Sequence, residues 1–74
     1  MRLPVVSGKE LVKALSKLGY EPDHITGSHI ILRLERAPFT RITVPNHPEL
    51  SKGTLRAIMR YTGLTHEELI RLLK

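Results

Sequence analysis

The sequence predicts an α+β domain of element order α-β-β-β-α-α, in which helices cover one face of a three-stranded antiparallel sheet. Three observations carry this. Serine or threonine caps followed by apolar residues at helical spacing stand near both ends of the chain. Two alternating segments and a Gly-Ser pair fill the middle. No repeat, linker or low-complexity stretch interrupts the 74 residues, so 1–74 reads as one domain.

Ser7-Gly8-Lys9-Glu10 has the form of a capping box. Leu11, Ala14, Leu15 and Leu18 follow at helical spacing, and Gly19 supplies a left-handed stop. Lys9, Lys13 and Lys17 then share one ridge away from the apolar stripe. Tyr20 to Thr26 is polar, and its Pro22 suits an edge strand. Gly27-Ser28 is the signature of a two-residue type II′ hairpin turn. His29 to Leu34 alternates, with Ile30, Leu32 and Leu34 on one face and His29, Ile31 and Arg33 on the other. Glu35 to Pro38 reads as a loop. Phe39 to Val44 alternates again, Ile42 and Val44 facing the core and Arg41 and Thr43 facing away. Ser51 caps a second helix that turns Leu55, Ile58 and Met59 inward and stops at Gly63. Lys52, Arg56 and Arg60 form its basic ridge. Thr65-His66-Glu67-Glu68 is a second capping box, opening a short helix with Leu69, Ile70, Leu72 and Leu73.

Composition narrows the chemistry. Twelve Lys+Arg against seven Asp+Glu give a formal charge of +5. Residues 1–64 hold ten basic and five acidic side chains and hence the whole excess. A polyanion is the natural partner of such a surface, through Coulomb attraction and counterion release. The absence of cysteine excludes disulfides, thiolate catalysis and cysteine-based zinc sites. No apolar run approaches the roughly 20 residues of a membrane span, and Met1-Arg2-Leu3-Pro4 lacks a signal-peptide core, so a cytoplasmic protein is expected. With one Phe, two Tyr and no Trp, broad stacking on single-stranded bases is not expected.

Parity fixes the strand register, because directly opposed residues share a face. The Gly27-Ser28 turn pairs Thr26 with His29, Ile25 with Ile30 and His24 with Ile31, which makes His24 and His29 diagonal neighbours. Opposing Leu34, Leu32 and Ile30 to Thr40, Ile42 and Val44 sets Arg33 against Arg41, a like-charge pair that an anion would relieve. The same register leaves His29 beside Pro45, with His47 two residues further along.

An imidazole near cations is the equipment for metal-free RNA cleavage. It exchanges a proton with a 2′-OH or a leaving 5′-oxygen near its own pKa, while cations stabilise the phosphorane. His29 is the candidate, with Ser28, Arg33, Arg41, Lys52, Arg56, Arg60, Lys9 and Lys13 as candidate RNA contacts. His47 is the candidate for a second acid–base group. A metal site of His24, His29 and His47 is disfavoured, since no carboxylate is obviously set to complete it and no His-x₃-His pair occurs. No metal or cofactor is expected.

The runs Lys17-Leu18-Gly19-Tyr20, Gly27-Ser28-His29, Ile42-Thr43-Val44-Pro45-Asn46-His47, Lys52-Gly53-Thr54-Leu55-Arg56-Ala57-Ile58 and Gly63-Leu64-Thr65-His66-Glu67-Glu68-Leu69 resemble, in this order, the HicA-type toxins, or YcfA-like mRNA interferases. The resemblance implies a double-stranded-RNA-binding-domain-like fold and ribosome-independent cleavage of mRNA, with His29 catalytic. It also implies a HicB-type antitoxin, expected to be acidic, that masks His29. DNA would be reached only through that antitoxin. One departure stands out: the family often carries a basic residue three positions before the Gly of Gly-Ser-His, where this chain has His24. The alternative from another class is a non-catalytic double-stranded-RNA-binding module of the same fold, with His29 merely hydrogen-bonding a phosphate or 2′-OH.

Overall fold

A computed structural model describes residues 3–74. The elements are α1 (Gly8–Ser16), β1 (Tyr20–Thr26), β2 (His29–Leu34), β3 (Arg41–Pro45), α2 (Lys52–Thr62) and α3 (His66–Leu73). The sheet runs β1-β2-β3 with both pairings antiparallel, so the architecture is the α+β arrangement that the sequence predicts.

Each helix begins where a hydroxyl can take an orphan N–H. Ser7 Oγ accepts from Glu10 N at 3.0 Å while Glu10 Oε1 accepts from Ser7 N at 2.9 Å, closing the expected capping box on α1. Thr65 and Glu68 repeat this on α3 at 3.1 and 3.0 Å. Ser51 Oγ accepts from Thr54 N at 3.2 Å to start α2, and Gly63 at φ 79° ends it in the left-handed region.

The inward faces meet in one core. Leu11 and Leu15 of α1, Leu32 and Val44 of the sheet, Leu55 of α2 and Leu69 of α3 are fully buried there, together with Val6. Each contributes roughly 1.5–3 kcal/mol by leaving water, which is what holds helices that are short on their own.

The register follows the parity argument at both hairpins. Thr26 opposes His29, Ile30 opposes Val44 and Arg33 opposes Arg41. Further from the first turn, β1 departs from simple continuation. Asp23 is an extra residue, so Pro22 opposes Leu32, Glu21 opposes Arg33 and Tyr20 opposes Leu34. Period two requires this. Ile25, itself exposed at the sheet edge, opposes buried Ile30 and shares its face, and buried Tyr20 stands five positions earlier, an odd separation, so one residue must be skipped for both to lie on that face.

Two other readings are corrected. β3 starts at Arg41 and not at Phe39, because Phe39 sits at φ 56° and donates its N–H to Arg36 O at 2.7 Å, closing a turn. Lys17 is not a free member of a basic ridge. Its Nζ donates to the carbonyls of Leu72 at 2.7 Å and Lys74 at 3.0 Å, satisfying orphan acceptors at the end of α3.

Candidate active site

The hairpin between β1 and β2 sets the position of His29. Gly27 at φ 53° takes the conformation that a type II′ turn demands at its first central residue, and His29 follows as the first residue of β2, exposed to solvent. Its cross-strand partner in β3 is Pro45. The next residue, Asn46, donates its N–H to Ser28 O at 2.6 Å and so ties the hairpin tip to the turn after β3.

That turn is held from the other side by α1. Gly8 N donates to His47 O at 2.9 Å, and Gly8 is buried against the turn. A Cβ at Gly8 would collide with the carbonyl oxygen of Pro45 and stand 3.1 Å from Asn46 Cα, so only glycine permits this approach. The side chain of His47 is exposed and lines a groove with Ser7, Lys9, Asn46 and Pro48. His29 is not part of that lining. Lys13 lies beside Lys17 and the end of α3, in a different groove from Lys9.

The open face of the sheet is less purely cationic than its arginines suggest. Arg33 Nη2 stands 3.4 Å from Glu35 Oε1, and Arg41 Nε stands 3.4 Å from Asp23 Oδ2. The chain therefore supplies its own carboxylates against the Arg33–Arg41 repulsion. Both contacts are long and exposed, so a stronger anion can displace them. The Nε of Arg33 is buried and has no hydrogen-bond partner, leaving a donor uncommitted on this face. Asp23 also meets His24 Nδ1 at 3.2 Å. That hydrogen bond holds the Asp23 carboxyl below its ordinary range; desolvation opposes it, and the charge of Arg41 adds a lesser lowering effect. Asp23 belongs to this face through its contacts with His24 and Arg41, and no motif in the sequence marks it. Its signal was the odd separation of Tyr20 and Ile25, which forces the bulge.

On α2, Lys52, Arg56 and Arg60 are all exposed, and none has an acidic partner among the described residues. The ridge begins at the helix N-terminus, where the dipole adds positive potential. Among the described residues, no three His, Cys, Asp or Glu side chains gather closely enough to hold a metal ion. Among the described residues, no helix is long and apolar enough to cross a membrane.

The class these features define is a small, strongly basic α+β domain with an exposed imidazole at a pinned hairpin mouth, arginines on its sheet face and a cationic helix ridge. A family model described as HicA toxin of bacterial toxin-antitoxin matches residues 8–64, from the first residue of α1 to just past the stop of α2, and the chain belongs to that family. It is the toxin of a toxin–antitoxin pair and has an antitoxin as its partner. No curated protein and no solved structure matches the chain.

Proposed function

We propose that the protein is an endoribonuclease of the mRNA interferase type that cuts RNA without a metal ion, with His29 as its general acid or base. The observation that carries this reading is the setting of His29. Its imidazole is exposed at a turn braced by the Asn46–Ser28 hydrogen bond, on the same sheet face as Arg33 and Arg41. His29 exchanges a proton with a ribose hydroxyl or the departing oxygen, while Arg33 and Arg41 stabilise charge on phosphorus. Ser28, Lys9, Lys13 and the α2 ridge of Lys52, Arg56 and Arg60 contact the phosphate backbone. Work on mRNA makes the protein cytoplasmic.

The antitoxin is of the HicB type and acidic, covering His29, Arg33 and Arg41 and competing with RNA for them. The test is cleavage of a labelled RNA in EDTA by purified protein. Products should end in 2′,3′-cyclic phosphate and 5′-hydroxyl, and His29→Ala should lose about 10²–10⁴-fold in rate. Equal activity of that variant, or cleavage only with added Mg²⁺, refutes the assignment. Binding of duplex RNA with no cleavage would instead indicate the non-catalytic module.

A further inference from the structure

We infer that His24, aligned by Asp23, is the second acid–base group of the site, delivering the proton to the leaving oxygen. This rests on the endoribonuclease reading of His29 and extends it to a residue on the neighbouring strand.

The geometry comes from the bulge. Skipping Asp23 keeps its side chain at the open face, where Oδ2 reaches His24 Nδ1 at 3.2 Å and Arg41 Nε at 3.4 Å. An ionised carboxylate only accepts hydrogen bonds, so the hydrogen lies on Nδ1 of His24. Nε2 is then the ring nitrogen left for a substrate, and the carboxylate behind the ring supports the positive charge of an imidazolium. His24 opposes Ile31 and His29 opposes Thr26, so the two histidines occupy diagonal positions on one face. Diagonal neighbours have Cβ atoms about 7–8 Å apart or slightly less, room for one phosphoryl group hydrogen-bonded on each side. The His24 side chain is 56% exposed, which leaves it accessible to such a group. The other charged groups of this face are Glu21, Arg33, Glu35 and Arg41, and none of them is an imidazole. Among the described residues His47 has no carboxylate partner, and His29 is not part of the lining of its groove.

The step balances as follows. Neutral His29 takes the 2′-hydroxyl proton as the 2′-oxygen forms its bond to phosphorus. The bond from phosphorus to the 5′-oxygen breaks, and that oxygen takes the proton of the His24 imidazolium. The products are a 2′,3′-cyclic phosphate, a 5′-hydroxyl, protonated His29 and neutral His24, and exchange with water restores the pair. Asp23 is a positioning residue here, since it acts through His24.

A leaving group that needs no proton separates this role from binding. The probes are a labelled RNA and uridine 3′-(4-nitrophenyl phosphate), whose nitrophenolate departs unprotonated. His24→Gln should slow RNA cleavage about 10²–10⁴-fold, the usual scale for general acid catalysis, and slow the activated ester by less than about tenfold. His29→Gln should slow both. His24→Arg, which keeps a cation but cannot donate at neutral pH, should behave as His24→Gln, while Asp23→Asn should show a smaller loss confined to RNA. Melting curves check that each variant is folded. Equal losses on the two substrates for His24→Gln, full RNA cleavage by His24→Arg, or the leaving-group signature appearing in His47→Gln would each overturn the inference. Failure of wild-type protein to cleave either substrate would overturn the endoribonuclease reading itself.

Discussion

Replacing Gly8 by alanine should destabilise the protein, although the change normally favours a helix. In an open helical position Gly→Ala stabilises by about 0.5–1 kcal/mol. At Gly8 the new methyl would meet the Pro45 carbonyl oxygen, with Asn46 Cα and Pro45 C both at 3.1 Å. All three are backbone atoms, so no rotamer change relieves the overlap. Overpacking of this kind costs about 1–3 kcal/mol, and stretching the Gly8–His47 hydrogen bond removes a further 0.5–1.5 kcal/mol or so. The net loss is about 2 kcal/mol. For a domain of this size that lowers Tm by about 8–16 °C, and with a urea m-value near 1 kcal/mol/M it moves the midpoint by about 2 M. Gly53→Ala is the matched control. It lies in α2 with nothing within 4 Å of the added carbon, and should be neutral or stabilising. A Gly8→Ala protein that melts at or above the wild-type temperature would refute the close-approach argument.

Two further outcomes follow from the helices. Replacing Lys52, Arg56 and Arg60 together by Gln should weaken RNA binding across sequences and flatten its salt dependence by about 0.7–0.9 per lost phosphate contact, measured as log K against log salt; an unchanged slope assigns the ridge to solvent. The hydrogen bonds from Ser7 and Thr65 hold the carboxyls of Glu10 and Glu68 below their usual 4.5. Because these folded values are depressed, the stabilisation is present above the unfolded pKa and is lost as pH falls through the folded one. Ser7→Ala with Thr65→Ala should cost about 0.5–2 kcal/mol per cap, while Glu10→Gln with Glu68→Gln, which removes the titrating carboxyls that accept from the Ser7 and Thr65 backbone N–H groups, should reduce the acid-induced loss of stability in urea titrations.

Period two and turn chemistry make most of the candidate site legible in the sequence. The Gly27-Ser28 pair fixed the turn, the turn fixed which side His29 and His24 share, and alternation of Ile30, Leu32, Ile42 and Val44 fixed Arg33 against Arg41. The caps were equally local, and Ser7, Ser51 and Thr65 all cap as their spacing implies. What escaped were contacts between distant segments. The engagement of Lys17 with the end of α3 depends on how two helices pack, which a basic ridge on one helix does not reveal. Phe39 continued an alternating pattern, yet the turn closed by Arg36 takes precedence there. Asp23 is intermediate: its bulge is implied by the parity of Tyr20 and Ile25, but only once Tyr20 is known to be buried.

The hydrogen bond between Asn46 and Ser28 has a consequence for motion. The tip of a hairpin is where a sheet ordinarily frays first, so a group mounted there spends time out of register with its partners. Here the tip is fastened to the turn after β3, and that turn is fastened to the first residue of α1. The amide hydrogens of Asn46 and Gly8 should therefore exchange with solvent slowly and together, as one opening unit rather than as two loops. His29 rides on that unit, so the rate at which its backbone leaves the position seen here is governed by the docking of α1, a helix on the opposite side of the sheet.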